Sequence, residues 1–321
     1  MELARAQPAA SRTVAERMHA MTVLGPVDAA QLGVVLPHEH IMIDLRHHAF
    51  SVEAILDDPD LAVDELQRFR TAGGGTVVDL TNRYMGRSVE TQVRVARETG
   101  LHVIASTGYY TEQYYPPHVY TWKTNQLADE MIAELTVGIG DSGVRAGIIG
   151  EIGTIRDAIS PAGERVFRAA ARAHLQTGAP LSTHVLLDEL AHDQMDLLQE
   201  EGVDLRHVIV GHQGDHRNID YLASIAERGV FVQIDHVGMA FYQLDEARAH
   251  TIAQLIELGY VDQILLSHDV CFKRLLHWFG GPGYDHLLTG FVPLLHDAGV
   301  SGADIQRMLV DNPCRALARY S

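Results

Sequence analysis

The chain has 321 residues, 46% of them hydrophobic, enough to bury a large core as one α/β barrel or as two ordinary domains. Its 42 acidic residues against 25 Lys and Arg leave a formal charge of −17, which opposes nucleic-acid and anionic-membrane partners because both need a basic footprint. With only Cys271 and Cys314, a disulfide framework and a cysteine-type zinc cluster are excluded, and a reducing compartment, by default the cytoplasm, is expected.

The first twenty residues contain no apolar run fit for a signal-peptide core, and residues 1–20 read as an N-terminal arm or short helix ahead of one domain over 21–321. No apolar stretch approaches the ~20 residues of a membrane-spanning helix. From Val34 onward, short β-branched runs alternate with amphipathic stretches. Strands are expected at Val34–Ile43, Thr76–Leu80, Val103–Thr107, Ala146–Ile152, Pro180–Val185, Val208–Gly211, Val230–Ile234 and Gln263–Ser267. Helices are expected between them at Val63–Thr71, Val89–Thr99, Asn125–Val137, Glu164–Thr177, Glu189–Glu201, Ile219–Arg228 and Glu246–Leu258. Gly100, Gly178, Gly202, Gly229 and Gly259 follow several of these as left-handed stops. Pro282–Ser301 reads as a helix and loop, and Ala303–Tyr320 as a closing helix. Eight near-continuous apolar strands alternating with helices, without a linker or composition shift, predict a single (β/α)8 barrel.

Nineteen histidines are many for this length, and several follow strands. The first strand ends in Pro37-His38-Glu39-His40, where residues two apart on an extended chain share a face and can share a metal. Glu151 interrupts an apolar run in the fourth strand, where burial demands a metal or an arginine partner. His184 ends the fifth strand, His212 follows the sixth, and His268-Asp269 follows the eighth. Singly, Glu151 reads as a salt-bridge partner and the histidines as hydrogen-bonded core residues. Jointly, imidazoles and carboxylates at five strand ends of one barrel face point to a metal site.

The order of these motifs resembles the phosphotriesterase family of the amidohydrolase superfamily. The resemblance runs from Gly25 to Tyr320. It rests on Leu36-Pro37-His38-Glu39-His40, Ser106-Thr107-Gly108-Tyr109-Tyr110, Arg145-Ala146-Gly147-Ile148-Ile149, Thr183-His184, Ile209-Val210-Gly211-His212, Asp235-His236 and Leu266-Ser267-His268-Asp269. It implies two divalent ions per chain, zinc first, with manganese, cobalt or iron(II) as alternatives. His38, His40 and Asp269 would hold the more buried ion, His184 and His212 the more exposed one, and a strand-four carboxylate would bridge them. Many members bridge with a carboxylated lysine. This strand reads Gly150-Glu151-Ile152, so a direct glutamate bridge is expected, as in members resembling the family's homology proteins, with Gly150 marking a bulge that sets the inward parity.

The chemistry implied is hydrolysis by a metal-bridging hydroxide, with a proton passing from Asp269 through His236 to Asp215. Tyr110, Trp278 and Phe279 are the expected substrate contacts. Tyr110 resembles a lactonase pocket tyrosine, whereas His236 stands where lactonases often carry arginine. The expected substrate is a small molecule with an ester-like bond, a lactone or carboxylic ester, with organophosphate triesterase activity beside it. An N-acyl amide hydrolase and a non-catalytic metal-containing binding protein are the alternatives, and a homodimer is the expected assembly.

Overall fold

In the computed structural model, residues 18–154, 158–186 and 190–319 are described. The β-branched runs form eight parallel strands: β1 Val34–Glu39, β2 Gly74–Asp79, β3 His102–Thr107, β4 Ile148–Gly153, β5 Leu181–His184, β6 Val208–Val210, β7 Phe231–Ile234 and β8 Ile264–Leu266. They pair in chain order in one sheet, the (β/α)8 barrel that the alternation predicts. Side chains alternate between two apolar layers. Val35, Val78, Ile104, Ile148, Ile209 and Leu265 fill the interior together with Ala20, Ala316 and Leu317. Leu36, Val77, Val103, Ile149, Val232 and Leu266 belong to the larger core shared with the helices.

The helices are α1 Pro59–Thr71, α2 Val89–Thr99, α3 Thr124–Thr136, α4 Pro161–Thr177, α5 Ala191–Glu200, α6 Ile219–Ala226 and α7 Asp245–Glu257. Two begin earlier than the apolar periodicity indicates. Ahead of Pro59 in α1, Asp58 accepts from Asp60 N and Leu61 N, and ahead of Pro161 in α4, Ser160 accepts from Gly163 N; proline suits the first helical turn because its missing N–H has no partner there. All five anticipated glycine stops have positive φ, from 66° at Gly178 to 98° at Gly202. Helix α5 starts at Ala191, and Glu189, its expected start, lies outside the described residues.

Three segments depart from expectation. β1 ends at Glu39, and Ile43–Asp44 instead pairs antiparallel with Ile55–Leu56 above the barrel. Within Pro282–Ser301, expected as a helix and loop, the helical part is a π turn at Leu287–Phe291 followed by Val292–Asp297. The closing helix likewise runs Gly302–Gln306, a π turn Arg307–Asp311, then Asn312–Leu317. Each π turn lies just before a proline, Pro293 or Pro313, whose ring nitrogen has no proton to give the carbonyl four residues back. Tyr320 lies outside the described residues, as do residues 1–17 of the expected arm, while His19–Thr22 forms a hairpin with Gly25–Asp28. The buried Arg319 ties this hairpin to the barrel floor, its N–H bonding His19 O at 2.9 Å and its guanidinium Ala146 O at 2.6 Å.

No strand ladder joins β8 to β1 among the described residues. The seam is closed by one backbone bond, Asp269 N to His38 O at 3.1 Å, and by side chains. Ser267 Oγ accepts from His38 N at 3.0 Å, and its proton lies within reach of His38 O and Glu39 Oε1, both at 2.8 Å. Glu39, fully buried, also accepts from His268 N and Val270 N, each at 2.9 Å. Burial outweighs these donors and pushes its carboxyl up to about 7. Glu39→Gln turns one acceptor oxygen into a donor facing a backbone N–H. We expect a loss of about 1–3 kcal/mol, read as a lower thermal midpoint; an unchanged midpoint would show that the carboxylate does not hold the seam.

Candidate metal centre

Two register slips aim the ligands. In β1, Leu36 and Glu39 pair with Val77 and Asp79, three residues against two, so the parity that points Val35 inward is reversed and His38 and His40 face the barrel axis. In β4, Ile149 and Ile152 pair with Leu181 and Thr183, again three against two, which turns Glu151 inward and leaves Ile152 in the outer core. This is the bulge anticipated at Gly150. Only glycine suits that position: its φ is +137°, and a Cβ would lie 2.4 Å from Ser182 O.

Glu151 lies at the centre of a buried cluster. Its Oε2 is 2.9 Å from His184 Nδ1 and 3.4 Å from both His38 Nε2 and His212 Nε2, and its Oε1 is 3.8 Å from His40 Nε2. Asp269 Oδ1 is 2.9 Å from His40 Nε2 and 3.8 Å from His38 Nε2. His184 Nδ1 and His212 Nε2 are 2.6 Å apart. Among the described residues no lysine or arginine meets Glu151, so of the two compensations expected for it, arginine is not found there.

The outer ring nitrogens decide what the inner ones present. Asp235 reaches two of them: Oδ2 lies 3.1 Å from His38 Nδ1, and Oδ1 lies 3.0 Å from His212 Nδ1. Thr81 Oγ1 is 2.8 Å from His40 Nδ1. Protons placed on these outer nitrogens leave the Nε2 lone pairs of His38, His40 and His212 directed at carboxylate oxygens, an arrangement that repels unless a cation lies between them. Both ring nitrogens of His38 and Asp269 Oδ1 are buried without a partner in hydrogen-bond geometry among the described residues, so Asp235 meets His38 Nδ1 as a close charge at 3.1 Å. Separations of 2.9–3.8 Å between these atoms suit ligands around an ion with bonds of ~2.1 Å. The sets His38–His40–Glu151 and Glu151–His184–His212 can each hold a metal ion. The set His38–His212–Asp235 is better read as one carboxylate steering two imidazoles.

The electrostatics agree. Burial disfavours the charged forms of His38 and His212, yet Glu151 and Asp235 raise His38 well above its usual range, and Asp235 chiefly raises His212 to about 10. His184 falls to about 4 because burial and His212 outweigh Glu151. Glu151, despite its burial, is held well below the usual carboxylate range by His184 and His38. The cluster thus demands positive charge, and without an ion only protons can supply it.

A second chain leads away from Asp269. Its Oδ2 is 3.1 Å from His236 Nε2, and His236 Nδ1 is 2.7 Å from Asp215 Oδ2. Asp215 Oδ1 accepts from Arg248 at 2.7 Å, and Arg248, wholly buried, also donates to Asp245 Oδ1 at 3.0 Å. His212, His236 and Asp269 all take left-handed backbone, with φ of 60°, 61° and 56°. Such geometry costs of order 1 kcal/mol or more per non-glycine residue, and three of the four such residues described lie in this site.

His38, His40, Glu151, His184, His212, Asp269, His236 and Asp215 are therefore brought together. Tyr110 joins them, its hydroxyl 3.4 Å from His184 Nε2. Trp278 is not brought to the cluster. The Glu65 carboxylate of α1 accepts from His277 N at 3.0 Å and Trp278 N at 2.8 Å, which turns this loop outward and leaves Trp278 three-quarters exposed beside α1. Phe279 packs at the rim beside Ile41, Leu56 and Tyr284. A second ring lying against the site is Tyr242, parallel to His236 within 10° at 4.6 Å. Sequence reasoning missed the roles of Asp235, Arg248 and Glu39. Asp235 sits beside a histidine at a strand end and was open to discovery, whereas Arg248 looks like any helical arginine.

Asp235→Asn leaves one acceptor oxygen for two ring N–H groups. Metal affinity, measured by chelator competition, should fall about 10- to 100-fold; equal affinity in the variant would remove Asp235 from the account of the site.

The model of the "Phosphotriesterase family" matches residues 18–317. The chain is 42% identical over 281 residues to the phosphotriesterase homology protein of Escherichia coli, covering 88% of this chain and 96% of that one. The crystal structure of that protein, complexed with phosphate in its active site, superposes with a TM-score of 0.87 over 89% of this chain and 99% of its own. An N-acetyltaurine hydrolase of Tetraodon nigroviridis is 31% identical, covering 91% of this chain and 95% of its own. A lactonase structure from Listeria monocytogenes gives a TM-score of 0.89 at 26% identity over 94% of this chain and 99% of its own. The chain belongs to the phosphotriesterase family, a family of divalent-metal hydrolases.

Proposed function

We propose that this protein hydrolyses an ester-like bond, a lactone or carboxylic ester first, with organophosphate triesters as an accompanying activity. The observation that carries the reading is Glu151 set between two histidine pairs, with Asp269 connected through His236 to Asp215. In this reading His38, His40 and Asp269 would hold one divalent cation, His184 and His212 would hold a second, and Glu151 would serve both, with zinc as the metal. When bound, the cations supply a hydroxide nucleophile near neutral pH and polarise the substrate's carbonyl oxygen.

The chain's own residues then manage the proton. Asp269 accepts it from the attacking water and passes it to His236 Nε2. Asp215 stabilises the resulting imidazolium across the 2.7 Å contact at Nδ1. Burial opposes ionisation of Asp215, but His236 and Arg248 hold its carboxyl below the usual range, so it stays charged for this task. The proton reaches the leaving group by the reverse route. Tyr110, one of the three expected contacts, and Tyr242 form the aromatic walls of the substrate pocket in this reading. A cytoplasmic location and a homodimer are parts of the same reading.

A second reading, cleavage of an N-acyl bond, is favoured by the N-acetyltaurine hydrolases among the relatives and by the intact proton chain, since a departing amine needs a proton more than a departing phenol does.

Two sets of variants test the chemistry. Glu151→Ala should lose at least one metal. Glu151→Gln should also be poor because a neutral amide cannot balance two cations, and wild-type activity should not respond to bicarbonate. Both metals and normal turnover in Glu151→Ala would remove the bridge. Asp269→Asn should keep more metal than activity, with kcat down ~100- to 10,000-fold. His236→Ala should retain its metals and slow substrates with poor leaving groups most. Equal slowing of good and poor leaving groups, with only KM raised, would make His236 a binding residue.

A further inference from the structure

The loops after β6 and β7 meet around one wholly buried guanidinium, that of Arg248 near the start of α7. Its Nη2 donates to Asp215 Oδ1 at 2.7 Å and lies 3.4 Å from Met239 O. Its Nη1 donates to Gln243 O at 2.6 Å and to Asp245 Oδ1 at 3.0 Å. Met239 and Gln243 bound a tight turn in which Tyr242 N and Gln243 N both donate to Met239 O, at 3.1 and 3.3 Å. A further bond stitches this turn to the β6 loop, from Gln243 Nε2 to Gly214 O at 3.0 Å, one residue before Asp215. Asp245 in turn accepts from Gly238 N at 3.0 Å and lies 2.8 Å from His286 Nε2.

His236 shows what this hub governs. Its Nδ1 edge meets Asp215 at 2.7 Å, and its face carries the Tyr242 ring at 4.6 Å. One side of the guanidinium fixes Asp215, and the same plane of N–H groups holds both ends of the turn that presents Tyr242. Edge and face are thus set by a single side chain. Charge balance alone does not account for the arrangement, because Asp245 already faces His286 and the two carbonyls that Arg248 takes carry no net charge. A planar fork of donors can serve a carboxylate and two carbonyls together, whereas an ammonium is a single compact charge.

We infer that Arg248 is a positioning residue for the reaction: it orders Asp215 and the Met239–Gln243 turn as one unit, so that the proton chain is complete only when Tyr242 walls the pocket. A leaving group packed on Tyr242 then steadies the same unit that returns its proton. This inference rests on the hydrolase reading and adds to it the residue that ties the pocket wall to the proton chain.

The test uses metal-loaded protein, wild type, Arg248→Met, Arg248→Lys, Asp215→Asn and the double variant of Arg248→Met with Asp215→Asn, on aryl acetates with good and poor leaving groups. Arg248→Met should raise KM across the series and lower kcat about 10- to 100-fold for poor leaving groups, with good ones slowed less. Arg248→Lys should restore part of this loss. The double variant should be no slower than the worse single one, since both changes break one unit. Amide exchange of residues 239–243 gives a readout without turnover. Asp215 bonds Arg248 and His236 and none of these residues, yet Asp215→Asn should speed their exchange in the wild-type background and not beside Arg248→Met. If Arg248→Met does not fold, Asp245→Asn, which loosens one end of the guanidinium and leaves Asp215 in place, takes its part in the same comparisons with a smaller effect. Additive losses in the double variant, equal slowing of good and poor leaving groups, or unchanged exchange in Asp215→Asn overturn the proposal. If the wild type cleaves nothing, the hydrolase reading fails, while the exchange measurement still decides whether Arg248 joins Asp215 to the turn.

Discussion

A carboxylate buried with no fixed cation beside it among the described residues is the constraint from which the rest of this structure follows. Glu151 lies in an apolar strand, and the imidazoles around it include those of His38, His40 and His212, whose outer nitrogens face Asp235 and Thr81. An ion pair with arginine would have neutralised Glu151 and closed the site. Imidazoles leave the charge balance open to whatever cation enters, and they offer it lone pairs. The left-handed backbone at His212, His236 and Asp269 follows from the same demand, since each side chain must converge on the axis from the end of its strand. The barrel tolerates this conformational cost because its apolar layers continue below the site without interruption.

Much of this was legible in the sequence because the barrel writes its active face as punctuation. His184, His212 and Asp269 each stand where an apolar run stops, so the strand pattern located them. His38 and His40 were legible as a pair two residues apart, but their inward direction depends on a bulge that periodicity would not show. Glu151 was the reverse case: the adjacent glycine announced the bulge. Helix ends were read less well where a proline opened the helix, because a search for apolar periodicity starts at the first apolar residue and not at the cap.

What stayed illegible was tertiary. Trp278 has the composition of a pocket residue, and only Glu65 on a distant helix turns it away. Arg248 is charged and helical, which reads as solvent-facing, yet it is wholly buried because two carboxylates and two carbonyls receive it. Asp235 was visible as a motif, but its part in orienting two imidazoles needs strands β1, β6 and β7 in register. Side chains that steer other side chains leave little trace in a one-dimensional pattern.

The unladdered seam between β8 and β1 has a mechanical consequence. His38 and His40 stand on one side of it and Asp269 on the other, so an ion shared by these three would be a clasp across the place where, among the described residues, the cylinder lacks a strand-to-strand ladder. Emptying the site leaves the hoop held by Glu39, Ser267 and a single peptide contact. Amide exchange along β1 and β8 then becomes a strain gauge for metal occupancy, fast in the stripped protein and slow in the loaded one, while strands on the far side of the barrel report nothing.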